Sequence, residues 1–307
     1  MKNSSDSGNR HKTSSQRLLF LAVFIWPTFI LFCLVTLYPM AKGIYTSLFE
    51  WTGSSSSMKF IGLDNYAQMW RDKIILQAIW HDYFLVFWKV LLIMALATLF
   101  AVGLTRFRFR ENGFYRALFF FPNVISVVVI GVLWRFIYNP NLGFLNSFLS
   151  WFTGKQVETA WLGDSHLALW ALLLPSVWAG IGFYMLLLIA GILNISSSIF
   201  ESARIDGAGE WRQFWSLTLP LVWEQIKVST LNIVMTTLNG SFIIVMLMTE
   251  GGPDNATQVM GSYLYQMGFR QYQMGYASSI GVLILVLSLL TTFALNRLMR
   301  KETVENA

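Results

Sequence analysis

The chain has 307 residues, of which 55% are hydrophobic and only 12% charged, and its formal net charge is +6. Soluble domains carry about 25% charged residues, so the composition excludes an ordinary soluble domain and indicates a membrane protein. In such a protein the positive charge indicates orientation in the bilayer rather than nucleic-acid binding, and the one cysteine, Cys33, excludes a disulfide framework and a cysteine metal site.

Six apolar segments are long enough, or nearly so, to cross a hydrocarbon core about 30 Å thick. The first is uncharged and no small-x-small cleavage site follows it, which predicts an anchor rather than a signal peptide. Lys89 falls near one end of the second, where its stem can reach the interface, and Arg135 falls at the edge of the third. The predicted spans are 18–38, 83–105, 117–137, 167–193, 228–249 and 276–296.

The loop charges predict the orientation. Fourteen Lys and Arg residues fall on the side that holds both termini, and six fall on the other side. By the positive-inside rule both termini are cytoplasmic, as is the loop between the fourth and fifth spans. We therefore predict an all-α membrane protein with a cytoplasmic tail at 1–16, one six-helix domain at 17–300 and a second tail at 301–307.

Several residue types and motifs are absent from the sequence, and their absence disfavours some classes of function. No Asp or Glu falls inside the predicted spans, and Glu224 and Glu250 only bracket the fifth. The histidines His11, His81 and His166 fall at a terminus or at helix edges, where we expect interfacial positions. Ion-coupled carriers rely on intramembrane carboxylates or histidines, so ion coupling is disfavoured. The chain has no GxxxxGK[ST] loop and no HExxH, GxSxG or paired-carboxylate motif, so any energy must come from another subunit.

The most ordered cytoplasmic stretch is residues 201–220, ESARIDGAGEWRQFWSLTLP. It predicts two short amphipathic helices around Gly207, with the second stopped by Pro220 before the fifth span. A rigid plug for a groove in a soluble protein and a helix lying in the lipid headgroups explain this pattern equally well. The other candidate, RFRFRENGFYR at 106–116, is short and basic and is interpreted as a topology signal.

The same stretch resembles the signature EAA-x3-G-x9-I-x-LP, with Ser202 in place of Ala and Leu217 in place of Ile. That signature is typical of permease subunits of binding-protein-dependent ABC importers. FIGLDNYAQMWRD (60–72), WLGD (161–164) and MTEGGPDNAT (248–257) further resemble the maltose-type carbohydrate-uptake branch, and the likeness runs from about 17 to 300. The signature positions are Glu201, Ala203, Gly207, Leu217, Leu219 and Pro220.

The resemblance implies two homologous permeases and two cytoplasmic ATPase subunits in a bacterial or archaeal cytoplasmic membrane, with sugar delivered by an extracytoplasmic binding protein. This chain would bind no cofactor or metal, because ATP and Mg would lie on the ATPase. Loop 201–220 would supply the coupling helix, through Glu201, Ala203, Asp206, Gly207, Trp211, Phe214 and Pro220. Gly251, Gly252 and Pro253 would face the binding protein, although a plain turn explains them as well.

A sugar path needs polar groups and aromatic faces within the bilayer. Ser229, Asn232, Thr236 and Asn239 share one face of the fifth span, which predicts a protein- or water-facing stripe, or else hydrogen bonds between helices. By resemblance, the maltose-type site draws on this helix and the preceding one. The candidates are Trp178, Gly180, Phe183, Tyr184, Asn232, Thr236, Thr237, Asn239 and Ser241, with Asn123 and Ser126 weaker.

Three functions stay open at this point. A sugar importer's permease subunit is the main hypothesis, followed by an importer of the same architecture for a polyol or glycerol phosphate, and then by a passive channel or facilitator. A phosphate-bearing substrate would need a Lys or Arg in the cavity. Because Lys89 and Arg135 fall at helix edges, the sequence favours a neutral sugar.

Overall fold

The computed structural model describes residues 20–54, 57–106 and 111–300. Both predicted tails, 1–16 and 301–307, lie outside the described residues, as do the first residues of the predicted first span. The division of the chain into tails and one domain therefore stays a prediction.

The described chain is helical apart from two short strands. The helices are α1 Leu21–Thr46, α2 Asp64–Met69, α3 Lys73–Arg106, α4 Asn112–Val124, α5 Val127–Ile137, α6 Phe144–Thr153, α7 Ala168–Ala171, α8 Leu173–Leu193, α9 Ser197–Ile205, α10 Glu210–Gln213, α11 Leu219–Leu221, α12 Trp223–Met248, α13 Met260–Tyr265 and α14 Met274–Leu298. The π-helical turns are Leu21–Ile25, Cys33–Leu37, Phe214–Thr218 and Gln266–Arg270. The strands β1 Phe49–Glu50 and β2 Lys59–Phe60 pair antiparallel.

Five helical segments of the described chain are long and apolar enough to cross a membrane, and α4 with α5 forms a sixth span if this bent pair is counted as one. This confirms the predicted all-α class with six spans. The chain turns by 96° between α4 and α5, inside the predicted third span. Two local features favour the break: Pro122 lacks an N–H for the helical ladder, and the Ser126 hydroxyl caps α5 by accepting from the Val128 amide (3.3 Å).

The second span differs most from its prediction. Helix α3 has 34 residues and begins at Lys73, not at residue 83, so it is about 51 Å long. Asp82 lies inside it and is 1% exposed, which corrects the prediction that the spans contain no carboxylate. His81 is 6% exposed, and its Nδ1 donates to the Gln258 carbonyl (2.8 Å), while its predicted position at the membrane interface stays a prediction. Lys89, 9% exposed, lies near the middle of α3 rather than at the interface.

Helix α3 is the central element of the fold. One stripe of its buried residues, Ile93, Ala97, Ala101 and Leu104, packs against α8. The alanines allow close approach of the two backbones, which is how membrane helices gain van der Waals contact where lipid supplies no hydrophobic driving force. The other half of α3 packs against α12, α13 and α14, so this helix joins the external side of the bundle to the cytoplasmic side.

The first part of helix α1 stands apart from this bundle, and its last part, Tyr38–Thr46, packs against α14. None of its residues from 21 to 45 is buried, and the end of the helix is held by Thr46, whose Oγ1 donates to Ser278 Oγ on α14 (2.9 Å). Its apolar side chains are therefore available to lipid or to another chain.

Candidate functional sites

The 197–221 segment, which comprises α9, α10 and α11, contains the predicted coupling loop. Helix α9 ends in a Schellman motif: the Gly207 amide donates to the Arg204 carbonyl (3.0 Å) and the Ala208 amide donates to the Ala203 carbonyl (2.8 Å). The motif needs a left-handed residue, and Gly207 has φ +75°. The spacing of Ala203 and Gly207 in the signature is thus the spacing of a helix end and its cap.

Apolar side chains protrude from both sides of this cap. Ile205 on α9 is 87% exposed and Trp211 on α10 is 74% exposed, whereas Phe214 is half-buried and packs against the Trp211 ring with centroids 6.0 Å apart. The predicted contacts Glu201 and Asp206 are exposed. The segment therefore presents a rigid turn with two projecting apolar side chains.

Arg106, the last residue of α3, braces the segment from inside. Its guanidinium donates to Glu210 Oε2, to Gln213 Oε1 (3.3 Å) and to Thr218 Oγ1 (3.0 Å). It also lies 5.2 Å from the centroid of the Phe200 ring. The hydrogen bond from Arg106 lowers the pKa of the Glu210 carboxyl below its ordinary value, so the contact is present at neutral pH and is lost as pH falls through that lowered pKa.

Arg106→Ala should loosen this segment. The change leaves the oxygen of Gln213, which is 1% exposed, without its donor, and such a loss costs about 1–3 kcal/mol. We expect trypsin to cut after Arg212 about tenfold faster in the variant. The matched control is Arg204→Ala, because Arg204 is exposed and makes one contact of 3.5 Å to Glu210. If trypsin cleaves both variants after Arg212 at the same rate, Arg106 does not stabilise this segment.

Pro220 was predicted to stop the second helix before the fifth span, and this is wrong. Helical structure continues from Glu210 through a π-helical turn into α11, where Pro220 occupies the first turn. Proline has no N–H for the helical ladder, and the π-helical turn just before Pro220 is an irregularity of the kind that accompanies such a gap. The segment is thus joined to α12 almost without a break.

The external loop after α12 is tightly folded. Thr257 Oγ1 donates to the Gly252 carbonyl (2.7 Å), and the Met260 amide donates to Asp82 Oδ2 on α3 (2.8 Å). Gly251 is buried with φ +91°, and the Gln258 side chain occupies the place of a Cβ atom. The Gly-Gly-Pro sequence does form a turn, as its plain interpretation predicted, because the Gly252 amide donates to the Thr249 carbonyl (2.9 Å). That Gly251, Gly252 and Pro253 face a binding protein stays a prediction.

A cavity of about 300 Å³ lies between α3, the α4–α5 break, α8 and α12. It is near the lower limit of typical ligand pockets. Its lining combines isoleucine and proline side chains with a few polar ones. The polar lining residues are Lys89, Asn123, Ser176, Tyr184, Thr236 and Thr237.

Some of the residues that were predicted to form the sugar path line this cavity. Gly180, Tyr184, Thr236 and Thr237 line it, as does Asn123. Asn232 is not in the lining, but its Oδ1 accepts from the Tyr184 hydroxyl (2.9 Å) and so orients that ring. The remaining predicted residues do not line the cavity: Trp178, Phe183, Asn239, Ser241 and Ser126.

Packing explains these exceptions. Trp178 stands edge-on to Trp134, with centroids 6.0 Å apart. Phe183 and Asn239 are exposed, and Ser241 is buried with no hydrogen-bond partner among the described residues. The fifth-span stripe was predicted from sequence spacing alone, and spacing does not say which part of a polar stripe meets a neighbouring helix.

The sequence prediction missed Lys89, Arg106 and Glu210. Arg106 was assigned to a topology signal and Glu210 was given no role, because they lie far apart in sequence and only the fold brings them together. Lys89 was placed at a helix edge because His81 and Asp82 interrupt the apolar run. These two polar side chains are instead paired with the backbone of the external loop, which allows the helix to extend past them.

Comparisons with known proteins find relatives that match this chain over most of its length. The diacetylchitobiose uptake system permease protein NgcF of Streptomyces coelicolor is 31% identical over 94% of this chain and 85% of its own length. The probable ABC transporter permease protein YurN of Bacillus subtilis is 34% identical over 90% of this chain and 94% of its own. A bacterial ABC transporter involved in the import of the acidic polysaccharide alginate shares the fold, with a TM-score of 0.82 at 21% identity, covering 96% of this chain and 99% of its own.

Residues 93–304 match the family described as binding-protein-dependent transport system inner membrane component. This match spans more than half of the chain and includes the 197–221 segment as well as α8 and α12. The chain therefore belongs to that family of inner membrane transport components.

Proposed function

We propose that the chain is the non-catalytic permease subunit of an ATP-driven importer, which translocates a sugar or oligosaccharide delivered by an extracytoplasmic binding protein. The observation that carries the proposal is the 197–221 segment, a capped and braced turn that projects Ile205 and Trp211. Projecting apolar anchors with a rigid support suit insertion into a pocket of a partner protein. The relative named for diacetylchitobiose uptake supports carbohydrate as the cargo.

The partners follow from the surfaces that the chain leaves open. A second, homologous permease would cover the unburied length of α1, and two ATPase subunits would receive the coupling segments of the pair. In the described residues, no group of three or more His, Cys, Asp or Glu side chains is placed to hold a metal. We propose that ATP and Mg are bound by the ATPase and that this chain binds neither.

The geometry suggests how ATP binding would move the cavity. Closure of the ATPase pair would carry the 197–221 segment with it. Arg106 links this segment to α3, and α11 links it to α12, so the motion would reach two of the helices that line the cavity. The cavity would then open alternately to the two sides of the membrane. ATP would favour one of these states because it binds that state more tightly.

Reconstitution tests this function against a passive facilitator. In proteoliposomes that contain the chain with its co-encoded permease, ATPase and binding protein, we expect saccharide uptake only with internal ATP and with the binding protein outside. Liposomes with this chain alone should show none. Uptake by the chain alone, without ATPase, would favour a facilitator and contradict the proposal.

A further inference from the structure

We infer that the transmembrane cavity contains an anion subsite built on Lys89, and that the transported saccharide carries a carboxylate, sulfonate or phosphate group. The inference rests on the proposed function and specifies its substrate class. It reverses the expectation of a neutral sugar, which depended on placing Lys89 at a helix edge.

Lys89 is a buried basic residue that makes no hydrogen bond and no close ion pair among the described residues. Its side chain is 9% exposed and lines the cavity. None of the ion pairs or hydrogen bonds among the described residues involves it, so no carboxylate oxygen there lies within 4.0 Å of Nζ. Buried charges in proteins are normally paired, because an isolated one is costly to desolvate. An unpaired ammonium in a cavity wall is therefore a place for an anion.

The nearest carboxylate along the helix, Asp82, attracts Lys89 only from beyond 4.0 Å and leaves the ammonium donors of Lys89 free for a closer anion. Asp82 lies two turns before Lys89 on the same face of α3, and its Oδ2 accepts from the Met260 amide (2.8 Å). It belongs to the anchor of the external loop and does not line the cavity. The cavity lining among the described residues contains no Asp or Glu, so nothing there repels an anion.

The rest of the cavity suits a saccharide that carries the anion. Thr236, Thr237 and Asn123 offer hydrogen bonds to hydroxyl groups, and the Tyr184 ring offers a face for a sugar ring. The apolar lining residues Ile93 and Ile233 lower the local dielectric constant, which strengthens the attraction between Lys89 and an anionic group.

A second cation, Arg135, lies in a neighbouring cavity. Arg135 lines a neighbouring cavity of about 510 Å³, which the chain forms one to two turns further along α5 and one turn further along α12. Arg135 is exposed, and Nη1 donates to the Leu247 carbonyl (3.4 Å). Given the predicted orientation, an anion that enters from outside meets Arg135 first and Lys89 next. Cations in succession along a cleft raise the local concentration of an anionic ligand.

Direct binding tests the inference. The permease–ATPase complex, in nanodiscs and without binding protein, is titrated with α-1,4-digalacturonate and with α-1,4-galactobiose, which differ by carboxylates in place of hydroxymethyl groups. Omitting the binding protein removes its own selectivity from the result. We expect digalacturonate to bind at least about tenfold more tightly, because a hydrogen bond to a charged group is worth about 1.5–3 kcal/mol.

Variants of Lys89 test whether this residue causes the tighter binding of digalacturonate. Lys89→Met should abolish the preference for digalacturonate, and Lys89→Arg should retain it, which a purely structural role would not predict. Lys73→Met removes the same charge from an exposed position of the same helix and should change nothing. Equal or tighter binding of galactobiose to the unaltered complex would overturn the anion subsite while leaving a sugar permease intact.

Glycerol 3-phosphate is the third probe. If it binds in a Lys89-dependent manner and neither disaccharide binds, the anion subsite stands and the carbohydrate part of the proposed function fails. If none of the three probes binds, the anion subsite is contradicted, whereas the proposed function is decided by the reconstitution experiment.

Discussion

Deletion of residues 201–216 should reduce ATP-driven uptake to background and abolish co-purification of the ATPase, while the chain still inserts into the membrane. The deletion removes the Schellman cap at Gly207 together with the projecting Ile205 and Trp211, and it leaves the apolar spans intact. Anchor residues of an interface cost about 2 kcal/mol or more each when truncated, which is roughly thirtyfold in affinity. Losing both should leave no stable complex.

A smaller change separates coupling from folding. The double variant Ile205→Glu and Trp211→Glu alters only exposed side chains and keeps the cap and the Arg106 brace. We expect normal membrane abundance and loss of ATPase association. Trp151→Glu is the matched control, because Trp151 is 79% exposed on the external helix α6. If the ATPase co-purifies normally with the double variant and with the deletion, the segment is a headgroup helix and the coupling proposal is wrong.

The conformation of the 197–221 segment was largely predictable because its information is local. The Ala203–Gly207 spacing encodes a helix end and its left-handed cap, and such short-range geometry can be predicted from sequence. What supports the segment was not predictable in this way. Arg106 reaches Glu210, Gln213 and Thr218 from the end of another helix, and no pattern in a single sequence joins residues so far apart.

The membrane spans were likewise predictable where the signal is local and not where it depends on contacts between distant residues. Long apolar runs predicted the six spans, but the start of α3 was misplaced because hydropathy treats a polar residue as the end of a span. Helix α3 instead continues through His81 and Asp82, because the backbone of the external loop provides hydrogen-bond partners for both side chains. This error carried over to the predicted position of Lys89. The break between α4 and α5 lay within one apolar run, so hydropathy did not reveal it.

Gly182→Ala should destabilise the bundle and reduce uptake several-fold. A Cβ atom at Gly182 would lie 2.6 Å from the Cα atom of Phe120 on α4, and a backbone atom cannot move aside as a flexible side chain can. Overpacking of this kind costs about 1–3 kcal/mol. Since alanine favours a helix by about 1 kcal/mol over glycine, the clash must exceed that gain, and we expect a net loss in thermal stability of the purified complex.

Gly103→Ala is the matched control for this prediction, because a Cβ atom at Gly103 on α3 would meet nothing within 4 Å. That variant should be neutral or slightly stabilised. The two variants also distinguish packing from conformational freedom, since both glycines lie inside helices. Gly182 holds α8 against α4, and α4 carries Pro122 and Asn123 into the cavity that Gly180 lines from the other side. A loss of uptake in Gly182→Ala, with Gly103→Ala unaffected, would show that close contact between α8 and α4 sets the shape of the cavity.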